Sequence, residues 1–395
     1  MCRFYQVCFS LCVFLGWVDF AQAAFPIEKF KFTDPQDIVF DSNGNMFVSD
    51  SFTCVIYRLS PMDAAGYFFY VKRPFAGDEG HCDRVDGIGQ NAHLDRPLGM
   101  TVDAANNLYV VDGVISELDK RKNVFVLRKI SPSAEVTTLR FLVDDPDLLG
   151  YEYRMIDFEM TSSGSLYGSV LATRAGNHAD LVVELNLTHL TAKIFAGAAG
   201  CGETMLPGTG KNACIGHGLH RYPALYSVAG ITKDNADTLY LAHGSSILEI
   251  DTHARVTLLA GTPDGTYGFR DGAARSAALM TYSSGVIYHK NRVLFMDNDH
   301  PLSISPSSAV IRDYDFLTDN VETLVGDKAN LAGYADGVGA SAVFGRMMSV
   351  GIAVDKREKI YVADRENQVL RVIDSSGPAP ETSTLKGFYV PFYPF

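Results

Sequence analysis

The sequence predicts an all-β protein, a six-bladed β-propeller whose blades are four-stranded antiparallel units. Two observations carry this prediction: short runs alternate apolar and polar residues at period two, and similar runs recur along the chain. A third observation is a glycine-rich segment that recurs between the groups of runs. A single four-stranded unit leaves two apolar faces exposed, and radial packing of such units buries both faces.

The length and composition are those of an ordinary globular protein. The chain has 395 residues, of which 47% are hydrophobic and 20% are charged, so disorder is not expected. The formal net charge is −12. This charge argues against nucleic acid and against an anionic membrane surface as partners, because both select clustered Lys and Arg.

The first 23 residues have the pattern of a signal peptide. Arg3 precedes the apolar stretch Val7–Val18, and the small-x-small sequence Ala21-Gln22-Ala23 follows it. The apolar stretch is too short to span a bilayer comfortably, so cleavage is expected rather than an anchor. We expect residues 24–395 to form one propeller domain in the secretory pathway or outside the cell, without a transmembrane segment.

Four cysteines remain after this segment is removed, and they predict two disulfides in an oxidising compartment. Cys201 and Cys214 enclose a polar segment with little else to order it, so we expect them to pair. Cys54 and Cys82 form the second expected pair, since both are expected on one face of the propeller. A sequon at Asn186 predicts N-glycosylation.

A pair of neighbouring strands recurs six times and defines the repeat. The second strand of each pair is an alternating run, and the copies are MFVSD (46–50), LYVVD (108–112), LYGSV (166–170), LYLAH (239–243), VLFMD (293–297) and IYVAD (360–364). Turn residues precede each copy, which is typical of tight hairpins. The units are expected to start near residues 35, 97, 153, 223, 282 and 347. The last unit is expected to take its fourth strand from Thr382–Phe388, from Ile27–Phe32, or from both ends in one sheet.

A glycine-rich connection recurs between consecutive units. Its copies are DGIGQNAHL (86–94), PGTGKNACI (207–215), DGAARSAAL (271–279) and DGVGASAVF (336–344). Each copy aligns a glycine, an alanine and a bulky residue: Gly87, Gly208, Gly272 and Gly337; Ala92, Ala213, Ala277 and Ala342; Leu94, Ile215, Leu279 and Phe344. We expect the glycine to supply a positive φ, the alanine to allow close approach, and the bulky residue to fill the core.

Together these motifs resemble the NHL repeat, a family of β-propellers. The sixth unit is the most similar, with Asp364, Asn367 and Arg371 at the family's positions, and the second unit is similar through Arg96–Asp112. The first unit carries one extra residue, and units three to five depart in their second halves. The resemblance covers residues 34–374 and implies the fold. It implies no single function, because propellers host enzymes and binding modules alike.

The ends of the second strands predict a candidate binding surface. In a propeller these ends share a face with the connections between units, which places five residues near that face: Asp50, Asp112, His243, Asp297 and Asp364. Such an acidic ring is able to hold a cation or a cationic ligand. We favour the alternative, in which each aspartate accepts backbone N–H bonds in its own turn, because every strong copy of the repeat has it.

Histidines in two connections are weaker candidates for a metal site. His81 and His93 precede the second unit, and His217 and His220 precede the fourth. Their connections share one face, which makes a zinc site geometrically feasible, but no close ligand spacing is present. We therefore expect no cofactor, with a divalent cation, Ca²⁺ or Zn²⁺, as the alternative.

Two functions compete on this evidence. The first is a secreted interaction module that binds a protein or a glycan through its loop-bearing face and has no catalytic residues. The second is a propeller enzyme, a metal-dependent lyase or lactone hydrolase that uses the central channel. An RNA-binding NHL domain is disfavoured by secretion and by the net charge. We favour the interaction module; His, Asp or Glu side chains converging on the channel would favour the enzyme.

Overall fold

The computed structural model describes residues 28–64, 67–113, 124–174, 177–198, 201, 205–216, 230–262, 267–279, 282–298, 308–327, 329, 331–346 and 351–389. These residues form 30 β-strands in five sheets and four 3-10 helices of three residues each. The fold is therefore all-β, as predicted. The predicted signal peptide, His217, His220 and the predicted unit starts near 223 and 347 lie outside the described residues. Within the described part of the chain, no helix is long and apolar enough to cross a membrane.

The first half of the chain contains three antiparallel meanders, each of four strands paired in chain order. After β1 (Glu28–Lys29), the first meander comprises β2 (Pro35–Phe40), β3 (Met46–Asp50), β4 (Val55–Ala64) and β5 (Tyr67–Ala76). After β6 (Gly87–Ile88), the second comprises β7 (Pro97–Val102), β8 (Leu108–Asp112), β9 (Val124–Ile130) and β10 (Glu135–Val143). The third comprises β11 (Glu152–Met160), β12 (Leu166–Arg174), β13 (Asn177–Asn186) and β14 (Thr191–Ala196). The second and third meanders share one sheet, because β10 and β14 pair in parallel.

The second half repeats this pattern in three further sheets. After β15 (Gly208–Thr209) come β16 (Gly230–Lys233), β17 (Leu239–His243), β18 (Ser246–Ile250) and β19 (Arg255–Gly261). After β20 (Gly272–Ala273) come β21 (Tyr282–His289), β22 (Arg292–Asn298), β23 (Val310–Asp315) and β24 (Asn320–Val325). After β25 (Gly337–Val338) come β26 (Ile352–Val354), β27 (Ile360–Asp364), β28 (Val369–Asp374) and β29 (Glu381–Thr384), and the final strand is β30 (Lys386–Tyr389). The 3-10 helices span Gly89–Asn91, Pro146–Leu148, Gly210–Asn212 and Gly339–Ser341.

The first strands of the meanders contact one another in a closed circle. β2 contacts β7, and contacts continue through β11, β16, β21 and β26 back to β2. A separate hydrophobic cluster fills the space between each pair of neighbouring meanders. The cluster that closes the circle packs Val48 and Tyr57 of the first meander against Tyr361 and Leu370 of the last. The core is therefore divided into layers between sheets, each layer shared by two neighbours.

The connections that enter the second, fourth, fifth and sixth meanders share one path. Each contains a two-residue strand that pairs with the outermost strand of the meander that it enters. The aligned alanines and bulky residues are buried, as the sequence predicts. The role expected for the glycines is wrong at most positions, since Gly272 alone of the four has a positive φ, 131°. At Gly87 the requirement is space, because a Cβ there would clash with the carbonyl of Asn91.

Both ends of the described chain meet at the junction of the first and last meanders. β29 pairs with β28 and supplies the fourth strand of the last sheet, in agreement with the C-terminal alternative. The N-terminal strand β1 does not join that sheet. It pairs antiparallel with β30, which pairs in parallel with β5 at the edge of the first sheet. The C-terminal segment therefore crosses from the last sheet to the first.

Candidate functional site

The residues predicted at the ends of the second strands are buried and bound to groups of the protein. Asp50, for example, accepts hydrogen bonds from the backbone amides of Thr33, Asp34 and Thr53, at 2.7, 3.1 and 3.2 Å. Asp112 accepts one from the amide of Asp95 at 2.7 Å. The structure thus places these carboxylates where they anchor the chain that enters their own meander.

Three fully buried arginines join the second strands to the preceding connections. Arg371 donates from Nη1 to Asp364 and to the carbonyl of Val343, both at 2.9 Å. Its Nη2 donates to Asp336 at 3.0 Å and to the carbonyl of Ala335 at 2.6 Å. The same four contacts recur at Arg128, with Asp112, His93, Asp86 and Val85, and at Arg312, with Asp297, Ala278, Asp271 and Arg270. We call each of these an arginine clip.

The sequence analysis placed Arg371 at a family position but missed the second carboxylate of the clip. That carboxylate is the aspartate before the aligned glycine: Asp86, Asp271 or Asp336. The sequence did contain a signal for this contact. The three glycine-rich segments that begin with Asp-Gly precede the three meanders that have the arginine, so the two residues occur together. In the fourth meander the proline Pro207 replaces this aspartate, and Leu248 lies at the arginine's register.

Two disulfides lie on the connections and have the predicted pairing. Cys54 pairs with Cys82, with a Cα–Cα distance of 5.4 Å, and Cys201 pairs with Cys214 at 5.6 Å. The second disulfide lies within the connection to the fourth meander. Of the four glycine-rich connections, this is the one without an arginine clip. The fifth predicted residue, His243, is also buried there, and its Nε2 lies 3.1 Å from Asp180 Oδ2. The disulfide and the contact between the His243 and Asp180 side chains thus hold this part of the face.

The remaining predicted residues lie in exposed or partly exposed connections. His81 and His93 stack with ring centroids 5.1 Å apart, so the structure brings this pair together. Asn186 ends β13, and its Oδ1 accepts hydrogen bonds from the amides of Thr188 and His189 at 2.9 Å each. Its glycosylation stays a prediction.

A second constellation, missed by the sequence analysis, lies in the central channel. The six first strands line a cavity of about 270 Å³, and three carboxyl groups reach its wall: Asp37, Asp157 and Glu159. Asp37 bridges neighbouring strands, with Oδ1 accepting from the amide of Ile38 at 2.7 Å and Oδ2 from that of Met100 at 2.6 Å. Asp157 forms the same bridge to Ile231, and Glu159 accepts a hydrogen bond from Thr101 Oγ1 at 3.1 Å.

The repeat itself contained the signal for this constellation. Aligned segments at the first strands read DIVF, GMTV, DFEM, GITK, GVIY and GIAV. One position around the circle is therefore occupied by Asp37, Gly99, Asp157, Gly230, Gly285 and Gly351. Glycine is therefore the common residue and aspartate the exception. An aspartate in place of a repeat glycine indicates a local role that the repeat does not require.

Burial raises the pKa of all three channel carboxyls. The pKa of Asp37 is raised to about 7, mainly by desolvation, while the amides of Met100 and Ile38 act in the opposite direction. Desolvation, and then repulsion from Asp37, raise the pKa of Asp157 well above its usual range. Desolvation likewise raises the pKa of Glu159. The channel wall therefore carries one carboxyl group, Asp37, that changes its protonation close to neutral pH, beside two others whose pKa is also raised.

The loop-bearing face also exposes apolar side chains. We call the following five the loop-face apolar residues: Phe52, Val85, Leu206, Tyr267 and Leu331. They lie in the turn between β3 and β4 and in four of the connections between meanders. Phe52 is 73% exposed and Leu331 69%.

Comparisons with known proteins support the fold and leave the function open. No family model matches the chain, and no curated protein matches its sequence. A structural genomics protein of unknown function from Bacteroides thetaiotaomicron VPI-5482 is 12% identical, with a TM-score of 0.55 over 90% of this chain and 72% of that one. A second protein from that organism is also 12% identical, with a TM-score of 0.53 over 90% and 71%. A gluconolactonase from Xanthomonas campestris is 10% identical, with a TM-score of 0.44 over 90% and 88%. The structural neighbours of this chain are β-propellers, and at these identities the likeness concerns the fold alone.

Proposed function

We propose that the six meanders are the six blades of one closed, NHL-like propeller formed by residues 24–395. The closed circle of first strands and the hydrophobic clusters between all neighbouring meanders support this proposal. We further propose that residues 1–23 are a signal peptide, that the protein is secreted, and that Asn186 is glycosylated. The two disulfides support secretion, because such bonds persist in oxidising compartments.

In this proposal the protein is an interaction module that binds another protein through its loop-bearing face. The observation that carries it is the set of loop-face apolar residues, since exposed apolar groups gathered on one face mark interaction surfaces. Asp50, Asp112, His243, Asp297 and Asp364 hold this face in place and do not contact the partner. Because the clips and disulfides already order the connections, binding would lose little conformational entropy.

The partner that fits this face has apolar contact residues surrounded by basic groups. The chain has a net charge of −12. Four carboxylates at the same connections, Asp83, Asp86, Asp271 and Asp336, remain between 40 and 65% exposed. Charge complementarity of this kind speeds association and selects partners.

The experiment compares capture of secreted proteins by the wild type and by a variant of the face. The face variant combines Phe52→Ser, Leu206→Ser, Tyr267→Ser and Leu331→Ser. The matched control is Leu317→Ser, since Leu317 is 85% exposed in the turn between β23 and β24, away from the connections. We expect one partner to be retained by the wild type and the control and lost by the face variant, with weaker retention at high salt.

The identified partner is then titrated against all three proteins. We expect the face variant to bind about tenfold more weakly or worse, because central apolar contacts dominate such interfaces. Equal affinity for the face variant would remove the loop-bearing face from the proposal. Binding of the wild type to a glycan array, with no protein partner, would assign the face to a glycan instead.

The channel carboxyls favour a second candidate function, a lyase or lactone hydrolase. A carboxyl with a pKa of about 7, as at Asp37, suits general acid–base catalysis at neutral pH. Hydrolysis of a panel of aldonolactones, followed by proton release, tests this function. Activity that is lost in Asp37→Asn and kept in Asp144→Asn, which changes an exposed carboxyl, would support the enzyme. Absence of turnover above the buffer rate would exclude lactone hydrolysis.

A further inference from the structure

The connections to the second and fourth meanders have the same backbone arrangement. Gly77 and Gly197 both have a φ of 97°, and their amides donate to the carbonyls of Gly89 and Gly210, at 3.1 and 3.2 Å. Further along, Val85 forms a β-bridge with His93, and Leu206 forms the corresponding bridge with Cys214. The two segments therefore share these contacts at both ends, with one more residue between the glycine and the bridge in the connection to the fourth meander.

This correspondence places two histidines where the other connection has a disulfide. His81 is four residues after Gly77, and Cys201 is four residues after Gly197. His93 and Cys214 occupy the same position in the bridge. Cys201 and Cys214 are bonded to each other. His81 and His93 therefore occupy, in the connection to the second meander, the places of two residues that form a disulfide in the connection to the fourth.

The histidines meet a carboxylate in a geometry suited to a metal ion. His81 Nδ1 lies 2.8 Å from Asp78 Oδ2. Ligand atoms of Asp78, His81 and His93 all lie within 4.8 Å of one another. Asp83 Oδ1 lies 2.7 Å from His93 Nδ1, a contact of the kind that orients the ring of a metal-bound histidine.

The backbone around these side chains is fixed before any ion binds. The amides of Val85 and His93 exchange hydrogen bonds at 3.2 and 3.0 Å, and the carbonyl of His93 accepts from Arg128 at 3.0 Å. The amide of His81 donates to the carbonyl of Asp78 at 3.0 Å. Cys82, directly after His81, is held by its disulfide to Cys54. A site built on such a frame needs only side-chain rotation to close.

We propose that Asp78, His81 and His93 bind one Zn²⁺ ion, which cross-links the connection as the Cys201–Cys214 disulfide does in the fourth meander. Two imidazoles and a carboxylate are a ligand set that zinc accepts, with a water molecule completing the tetrahedron. The side chains of His81 and Asp78 are 62 and 34% exposed, so the ion enters directly from solvent. The ion replaces the hydrogen bond between Asp78 and His81, while Asp83 holds His93.

The test is a zinc titration of the purified, chelator-treated protein, with ZnCl₂ as the probe and a chromophoric zinc indicator as competitor. We expect one equivalent to bind and the Tm to rise with zinc, because an ion that binds only the folded state stabilises it. His81→Ala and His93→Ala should each weaken binding by more than about tenfold. The control His253→Ala removes an exposed histidine in the turn between β18 and β19 and should bind zinc as the wild type does.

Variants are compared only where the Tm without zinc and the Cys54–Cys82 peptide match the wild type. If an alanine variant fails this check, His81→Gln and Asp78→Asn replace it, with the same expected loss. Unchanged zinc affinity in these variants would overturn the proposal. So would loss of binding in His217→Ala and His220→Ala alone, or binding by the wild type at millimolar zinc only.

Discussion

At the scale of single residues, Asp37 is buried and accepts hydrogen bonds from two backbone amides. The amides of Ile38 and Met100 stabilise its ionised form, and desolvation opposes them. Desolvation is the larger effect, so the pKa rises from 3.8 to about 7. This residue therefore changes its charge close to neutral pH, unlike an aspartate at the surface.

The first prediction concerns the pH dependence of stability. Between about pH 4 and 7 the folded state holds a proton on Asp37 that the unfolded state has lost. Asp37 therefore stabilises the fold most at low pH, and this contribution is lost as the pH rises through 7. Relative to Asp37→Asn, the wild type should gain up to about 1.4 kcal/mol per pH unit as the pH falls from 7 to 5.

Chemical denaturation of both proteins across this pH range measures the difference. Asp144→Asn, which changes an exposed carboxyl, serves as the matched control and should follow the wild type in parallel. A difference between wild type and Asp37→Asn that stays constant from pH 7 to 5 would show that Asp37 is already ionised in the folded protein.

At the scale of structural elements, the connections are fixed by buried polar contacts. In each clip the arginine is completely buried and has four hydrogen-bond acceptors on two segments of chain. Removing the arginine leaves a buried carboxylate without its charged partner, although Asp364 still accepts hydrogen bonds from the amide of Gly345 and from Asn367 Nδ2. The clip thus converts a surface connection into part of the core.

The second prediction tests the clip in the last meander. Arg371→Leu should lower the free energy of unfolding by about 3–5 kcal/mol, the range for breaking a buried ion pair. Leucine is chosen because Leu248 occupies the corresponding strand position in the fourth meander. The control Arg255→Ala breaks an exposed Arg–Asp contact within one hairpin and should cost less than about 1 kcal/mol. Equal losses in the two variants would mean that the clip is not an anchor.

The sequence allowed the strands to be predicted better than the contacts between them. Alternation and recurrence placed runs such as 360–364 correctly, because burial of one face imposes period two on each strand. The Arg371–Asp336 contact was missed because three strands lie between its partners in the sequence, so local patterns do not connect them. The channel carboxyls were missed for a related reason: Asp37 and Asp157 come together only when the first three meanders pack against one another.

At the scale of the whole molecule, the junction of the first and last meanders carries both chain ends. β30 lies between β1 and β5, and the amide of Phe32 donates to the carbonyl of Gln368 at 3.0 Å. Lys72 Nζ lies 3.8 Å from the ring centroid of Phe32 and 3.9 Å from that of Tyr57. Closure of the circle therefore depends on contacts between the two most distant parts of the sequence.

The third prediction tests this junction. Gly387 in β30 has no room for a side chain, because a Cβ would clash with the carbonyl of Tyr70 and the ring of Phe30. Gly387→Ala should therefore destabilise the protein by about 1–3 kcal/mol, the usual range for overpacking. The matched control is Gly377→Ala, whose Cβ would be 3.7 Å from its nearest neighbour.

Calorimetry of the two variants gives the answer. We expect one unfolding transition in each, shifted to lower temperature in Gly387→Ala alone, since every meander contributes to two neighbouring core clusters. A separate early transition in Gly387→Ala would show instead that the junction opens without the rest of the circle.

The uneven placement of aspartate around the channel makes the distribution of charge asymmetric across the width of the channel. The carboxyl groups come from the first and third meanders, whereas the fourth to sixth meanders present glycine at the same position. When the carboxyls ionise, the electric field therefore points from the glycine side towards the acidic side. A dipolar molecule in the channel would align with that field. The alignment would weaken as the pH falls, because protons neutralise the carboxylates of the channel wall.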